Sequence, residues 1–104
     1  MQKHTILIFG AGGRTGKEHV TTALEAGHTV SAFVRNQPEH SVLPLHEKLT
    51  FITGDARNYN NVLSALSSHD VVINVIAPRM GDQANYDISY VATRNIVQGM
   101  KELG

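Results

Sequence analysis

Cysteine is absent from the 104 residues. No disulfide framework and no thiolate metal site can form, and the chain suits a reducing compartment. An excess of one charge is missing too: nine basic residues balance nine acidic ones. That argues against nucleic-acid or membrane-surface binding, both of which usually draw on a basic surplus. Long apolar runs are also lacking. Nothing approaches the roughly 20 apolar residues that a membrane helix needs. The apolar stretch near the start, Ile6 to Phe9, is too short for a signal-peptide core and runs straight into glycine. There is no internal repeat, low-complexity tract or linker. The length suits one small domain with a single core, taken as residues 1–104. A soluble, cytoplasmic domain is expected.

What is present alternates. Thr5 to Phe9 (TILIF), Val30 to Val34 (VSAFV), Leu49 to Thr53 (LTFIT) and Val71 to Ile76 (VVINVI) read as buried strands. Gly16 to Ala26 carries Val20, Ala23 and Leu24 on one helical face, with Gly27 as its C-terminal cap. Asn58 is placed to cap a second helix with Val62, Ala65 and Leu66 inward, fading near Ser68 to Asp70. Tyr86 to Leu103 reads as a last helix with Ile88, Ala92, Ile96, Gly99 and Leu103 on one stripe. Gly99 costs about 1 kcal/mol of helix propensity relative to Ala, and close approach of that helix to a sheet would explain it. Arg35 to Lys48 reads as loop, with one short helical turn as the alternative; Pro78 breaks the chain, and Arg79 to Asn85 is a polar loop. Strands alternating with helices predict an α/β fold, a Rossmann-like doubly wound parallel sheet of order 3-2-1-4 with helices on both faces.

Between the first strand and the first helix lies Gly10-Ala11-Gly12-Gly13-Arg14-Thr15-Gly16. Amides at a helix N-terminus have no internal acceptor and carry partial positive charge, so a pyrophosphate can lie on them if no side chain intervenes. Gly10 would make the tight turn out of the strand, Gly13 would let backbone approach phosphate, and Gly16 would let the helix pack on the strand. A Walker A loop does not fit: Ala11 stands at its first glycine and Glu18 replaces its magnesium-binding hydroxyl. The G-x-G-x-x-G spacing also fails, because Thr15 takes its last place. The spacing that fits is G-x-x-G-x-x-G at Gly10, Gly13 and Gly16.

No other chemistry stands out. Six histidines, at 4, 19, 28, 40, 46 and 69, show no metal-ligand spacing. No serine sits on an elbow turn. Met80, Tyr86 and Tyr90 could wall a substrate near the loop after the fourth strand, with packing an equal alternative for Tyr90 and Met80. Asn74, inside the fourth strand, is either a satisfied buried polar group or a group facing the cleft.

The loop "GAGGRTG" after "ILIF" resembles the short-chain dehydrogenase/reductase superfamily in its extended and atypical branches. "ALEAGHTVSAFVRN", "LTFITGDARNYNNVLSALSSHDVVINVIAP" and "YVATRNIVQGMKELG" are similar to successive passages of its NAD(P)H-binding, NmrA-like group. The nearest overall likeness is to the flavin reductase/biliverdin reductase B type. The resemblance implies that Gly10, Gly12, Gly13 and Gly16 form a pyrophosphate loop, with Arg14 and Thr15 beside the phosphates. It matches Arg35 to the basic residue that favours NADP over NAD. The chemistry agrees, since an NAD site places a carboxylate there and none appears before Glu39. Asp55 and Ala56 match the border of the adenine, although Asp55 could equally bond its own turn. Ala77 and Pro78 match the turn lining the cofactor ribose.

Family domains of this kind are longer. The resemblance implies that this chain matches the N-terminal part, without the C-terminal strands. No Tyr-x-x-x-Lys pair exists: Tyr59, Tyr86 and Tyr90 are followed at that distance by Leu63, Tyr90 and Arg94. The catalytic residues and the small-molecule substrate stay unassigned. The resemblance implies an NADP-dependent oxidoreductase reducing a flavin or another small conjugated acceptor. A non-catalytic dinucleotide sensor is the alternative. In the 3-2-1-4 order the fourth strand is an uncharged sheet edge. Either a missing C-terminal half, a homodimer through that edge or a different partner chain is expected to cover it.

Overall fold

The order of elements follows from where apolar residues can be buried. A computed structural model of the chain describes residues 3–35, 43, 46–77 and 86–104. Among them the elements are β1 (Thr5–Phe9), α1 (Arg14–Glu25), β2 (Thr29–Val34), β3 (Leu49–Thr53), α2 (Tyr59–Leu66), β4 (Val71–Asn74) and α3 (Ile88–Leu103). The strands form one sheet in the order β3-β2-β1-β4. All pairs are parallel, with Ile6 beside Val30 and Val71, and Phe9 beside Phe33 and Asn74.

Side chains alternate across each strand and feed two cores. Ile6, Ile8, Val30, Ala32 and Val34 meet Val20, Ala23 and Leu24 of α1 on one face. Leu7, Phe9 and Phe33 meet Val62, Ala65 and Leu66 of α2 and Ala92 and Ile96 of α3 on the other. β1 lies mid-sheet, so both its faces are covered and Leu7, Ile8 and Phe9 are wholly buried. Burial of each such side chain is worth about 1.5–3 kcal/mol. Helices on both faces and the expected strand order make the sheet doubly wound.

Helix ends are set locally. The Gly27 and His28 amides donate to Leu24 and Ala23, closing a Schellman motif with Gly27 at φ +89°. The Asn58 side chain accepts from the Asn61 amide and caps α2. Gly99 corrects one expectation. The helix approaches not the sheet but its neighbour: a Cβ at Gly99 would lie 2.5 Å from Leu66 Cδ1. α2 and α3 lie side by side on one face, and Tyr59 of α2 also donates to Glu102 of α3 at 2.7 Å. That carboxylate raises the Tyr59 phenol above its ordinary pKa.

The N-terminal ends of the strands are tied by polar contacts. Asp70 accepts from the Thr5 amide at 2.9 Å and lies 3.3 Å from His4 Nδ1. Partial burial works against its charge, but the bonds from His4 and Thr5 outweigh that and hold Asp70 below the usual carboxylate range. His4 and His28 stand with ring centroids 5.5 Å apart, and His69 Nε2 lies 2.8 Å from Ser31 Oγ. These histidines sit at the sheet edge opposite the glycine loop. Among the described residues no three His, Asp or Glu side chains are grouped to hold a metal ion. No helix described is long and apolar enough to cross a membrane.

Candidate functional site

Because every strand runs parallel, the turns that follow them gather at one edge. Between β1 and β4 the order of connection reverses: β2 and β3 build outward on one side and β4 is added on the other. Such reversals open a crevice at the carboxyl ends of the strands. The glycine loop leaves β1 at that point.

Gly10 has φ +83°, which only glycine adopts without strain. A Cβ there would also lie 2.9 Å from the Ile76 nitrogen, so the exit of β4 closes directly on the loop. Gly16 is fully enclosed: a Cβ would collide with the Gly10 carbonyl oxygen and come within 2.7 Å of Ala11 Cα. It sets how closely α1 seats on the end of β1. Gly13 differs. It is exposed, and a Cβ would meet only the Gly10 carbonyl at 3.6 Å. The crowding at Gly10 and Gly16 therefore serves the fold, while Gly13 faces open space.

Gly13 is also the N-cap of α1, with no side-chain cap and no acid in the first turn. The Lys17 amide takes the Gly13 carbonyl at 2.9 Å, and the Gly13 amide takes that of Gly10 at 3.2 Å. The amides of Arg14, Thr15 and Gly16, at the first positions of the helix, have no intrahelical acceptor. Their partial positive charge is not offset by a side chain of the chain's own first turn. An open cradle with bare donors fits the diphosphate of a dinucleotide. Gly12 lies within the loop, half-buried; Arg14 and Thr15 are exposed. The Arg14 side chain, however, borders a hollow along the outer face of α1 with Lys17, Glu18, Thr21 and Thr22.

The other expected residues occupy the same edge. Arg35 follows Val34 at the end of β2 and is exposed. Asp55 follows β3, and the turn role expected for it is present: its Oδ1 accepts from the Arg57 amide at 2.9 Å and its amide donates to Asn61 at 3.0 Å. Ala56 is buried, and its carbonyl accepts from Asn95 of α3 at 2.9 Å. Ala77 is exposed beyond β4; Pro78 and Met80 lie outside the described residues. Asn74 resolves to a half-buried, satisfied group, donating to Thr93 Oγ1 at 3.0 Å and accepting from the Ile76 amide at 3.1 Å. Tyr86 and Tyr90 stay outside the core, 76% and 67% exposed, with the Arg94 guanidinium 5.7 Å above the Tyr90 ring.

Two contacts escaped sequence reasoning. The Arg57 guanidinium donates to Asp87 at 2.7 Å and holds its carboxyl below the usual range. The Asn95 bond to Ala56 is buried. Together they fasten the turn after β3 to α3. The only sequence signal was a polar residue, Asn95, within the inward stripe beside Ala92, Ile96 and Gly99.

The profile of a family described as NAD(P)H-binding matches residues 10–104. The chain belongs to that NAD(P)H-binding family. Its match begins at Gly10, the first residue of the cradle. A 3-beta-hydroxysteroid dehydrogenase of Mycolicibacterium neoaurum is 32% identical over 95% of this chain and 29% of its own length. An isoflavone reductase homologue, A622 of Nicotiana tabacum, is 33% identical over 99% of this chain and 33% of its own. The chain thus spans about a third of the length of these relatives. Among solved structures, the Bordetella bronchiseptica enzyme WbmH, in complex with NAD+, superposes with a TM-score of 0.81 at 25% identity, covering 97% of this chain and 36% of that one. A short-chain dehydrogenase/reductase of Veillonella parvula shares the fold with a TM-score of 0.69 at 21% identity, covering 97% and 43%. The family is NAD(P)H-binding, and the chain shares the Rossmann-like fold of these structures. The names of these relatives give a flavin acceptor no support.

Proposed function

We propose that the chain is the cofactor-binding part of an oxidoreductase and takes NADP(H) in preference to NAD(H). The observation that carries the preference is Arg35, exposed one residue beyond β2 at the edge where the glycine loop opens. Register supports the pairing. Phe9 lies beside Phe33, so β1 and β2 end at the same edge of the sheet, and the glycine loop and Arg35 both leave from that edge. A guanidinium at that point suits the 2′-phosphate of NADP with a charge-assisted contact. A carboxylate, the usual partner of the NAD ribose hydroxyls, does not stand there.

The cradle at Gly13 and the first amides of α1 would hold the diphosphate. Asp55 and Ala56 would border the adenine, and Ala77 and Pro78 the second ribose. Arg14 and Thr15 would neighbour the phosphates through their amides. When bound, the cofactor supplies the hydride, and the chain supplies orientation and electrostatics. The relatives' names, an isoflavone reductase homologue and a 3-beta-hydroxysteroid dehydrogenase, point to a small ring-bearing substrate. Hydride transfer to such a substrate is the proposed activity of the whole protein.

Thermal-shift titration with NADP+ and NAD+ tests the binding step, with stabilisation by NADP+ expected at lower concentration. Equal response to both would overturn the preference. Oxidation of NADPH with ring-bearing carbonyl acceptors tests the activity; tight binding with no turnover on any acceptor would favour a dinucleotide sensor.

A further inference from the structure

We infer that Asn74 is a positioning residue for the half of the dinucleotide that lies toward β4; the inference rests on the NAD(P)H-binding role of the loop. Gly10 gives up its side chain to the exit of β4, whose Val75 carbonyl carbon and Ile76 nitrogen lie 3.0 and 2.9 Å from where its Cβ would be. The β4 exit is therefore one wall of the crevice beside the glycine loop. Its path decides how wide that crevice is.

Pairing with β1 guides the path only as far as Val75, whose amide donates to the Phe9 carbonyl at 3.0 Å. One residue further the ladder has ended. There the Asn74 side chain takes over: its Oδ1 accepts the Ile76 amide at 3.1 Å, an Asx-type turn that bends the chain off the sheet. The other end of the same amide is held from outside the strand. Nδ2 donates to Thr93 Oγ1 at 3.0 Å, and that hydroxyl donates to the Ser89 carbonyl of α3 at 2.8 Å. The position of α3 is thereby passed to the wall of the crevice through three groups in series.

Packing alone does not call for asparagine here. Asn74 lies beside Phe9 and on the same face as Val72, where an apolar side chain would bury well. Asparagine is a poor strand former and half-burying its amide has a desolvation cost unless both ends are bonded. What it adds over valine is the captured Ile76 amide.

The adenosine end of a dinucleotide is recognised after β2. The other half then falls on the far side of the reversal, against β4. Loss of Asn74 should loosen the contacts of that half and spare the adenosine end.

Calorimetric titration of NADP+ against 2′,5′-ADP, and of NAD+ against ADP, separates the two halves in the intact chain. Asn74→Ala is expected to weaken the whole dinucleotide by roughly threefold to tenfold, the loss of about one net hydrogen bond. The adenosine fragment should change by less than about twofold, a residual on the scale of ordinary packing scatter. Thr93→Val, which leaves Asn74 in place but unanchored, should shift the same ratio less, and Thr93→Ser should restore it. A general structural role would move both ligands together or only the melting temperature. Equal weakening of both ligands, or no change in either, in both Asn74→Ala and Thr93→Val overturns the inference. If wild-type chain binds neither dinucleotide, the cofactor reading itself falls and takes this one with it.

Discussion

A side chain at Gly16 would occupy the place of the Gly10 carbonyl oxygen, whereas one at Gly13, three residues earlier, would stand 3.6 Å clear of the same atom. The glycine at 16 is required by the fold, whereas the one at 13 is not, and the proposed function gives it the ligand. Gly16→Ala is expected to lower stability by about 1–3 kcal/mol, the range for forcing a methyl group into filled space, because the obstructing atoms are backbone. Gly13→Ala, at an N-cap with φ −83° that alanine adopts freely, should cost at most about 1 kcal/mol. It should nevertheless weaken NADP+ strongly by covering the cradle. Urea unfolding with and without NADP+ measures both. If Gly13→Ala binds as wild type, the diphosphate does not rest there.

Arg35→Ala is expected to weaken NADP+ by roughly tenfold or more while leaving NAD+ nearly unchanged, because a charge-assisted bond to a phosphate contributes about 1.5–3 kcal/mol. Arg35→Glu should go further and reverse the preference. Titration of both cofactors against each variant reads the ratio directly. A ratio that does not move removes Arg35 from the recognition of the 2′-phosphate.

Much of this arrangement was legible because it is local. β1 and β3 fall on their apolar runs, and Asn58 caps α2 as its position implies. The differences have physical causes. α1 begins at Arg14 rather than Gly16 because Gly13 serves as its N-cap, and α3 begins at Ile88 because Tyr86 and Asp87 form a turn. β4 stops at Asn74, two residues short of its apolar run, because that side chain captures the Ile76 amide. Asn95 with Ala56 and Arg57 with Asp87 are 39 and 30 residues apart in the chain. Periodicity within one element carries no information on such pairs, so the fastening of the β3 turn to α3 appears only in three dimensions.

That fastening has a pH signature. The hydrogen bond from Arg57 lowers the Asp87 pKa from its ordinary value of 3.8. A carboxylate with a depressed folded-state pKa contributes stability above its unfolded-state value, and the contribution is lost as pH falls through the folded value. Asp87→Asn should therefore be slightly less stable than wild type near neutrality, since the pair is partly exposed. The gap should close in acid. Denaturant unfolding of the two proteins, stepped downward through the carboxylate range, follows the difference and leaves out Asp70, which titrates in both. A gap constant into strong acid would mean that the ion pair adds nothing.

Among the described residues, one side of β4 is open to pairing, and Val71–Asn74 carries no charge. Such edges recruit further strands. Thr93, bonded to Asn74, places α3 beside this edge, and its helical neighbours Tyr90 and Val97 are 67% and 45% exposed. A two-fold axis perpendicular to the sheet would set β4 antiparallel to its copy and keep both α3 helices on one face, so that the exposed apolar positions meet each other. The 104-residue chain, expressed alone, is expected to sediment as more than one chain, increasingly so with concentration. Val97→Lys should shift it toward the monomer and keep the wild-type unfolding midpoint at concentrations where both are monomeric, because the residue takes little part in the core. Sedimentation velocity over a range of concentrations decides the matter. A single monomeric boundary throughout would show that β4 does not pair with a second copy.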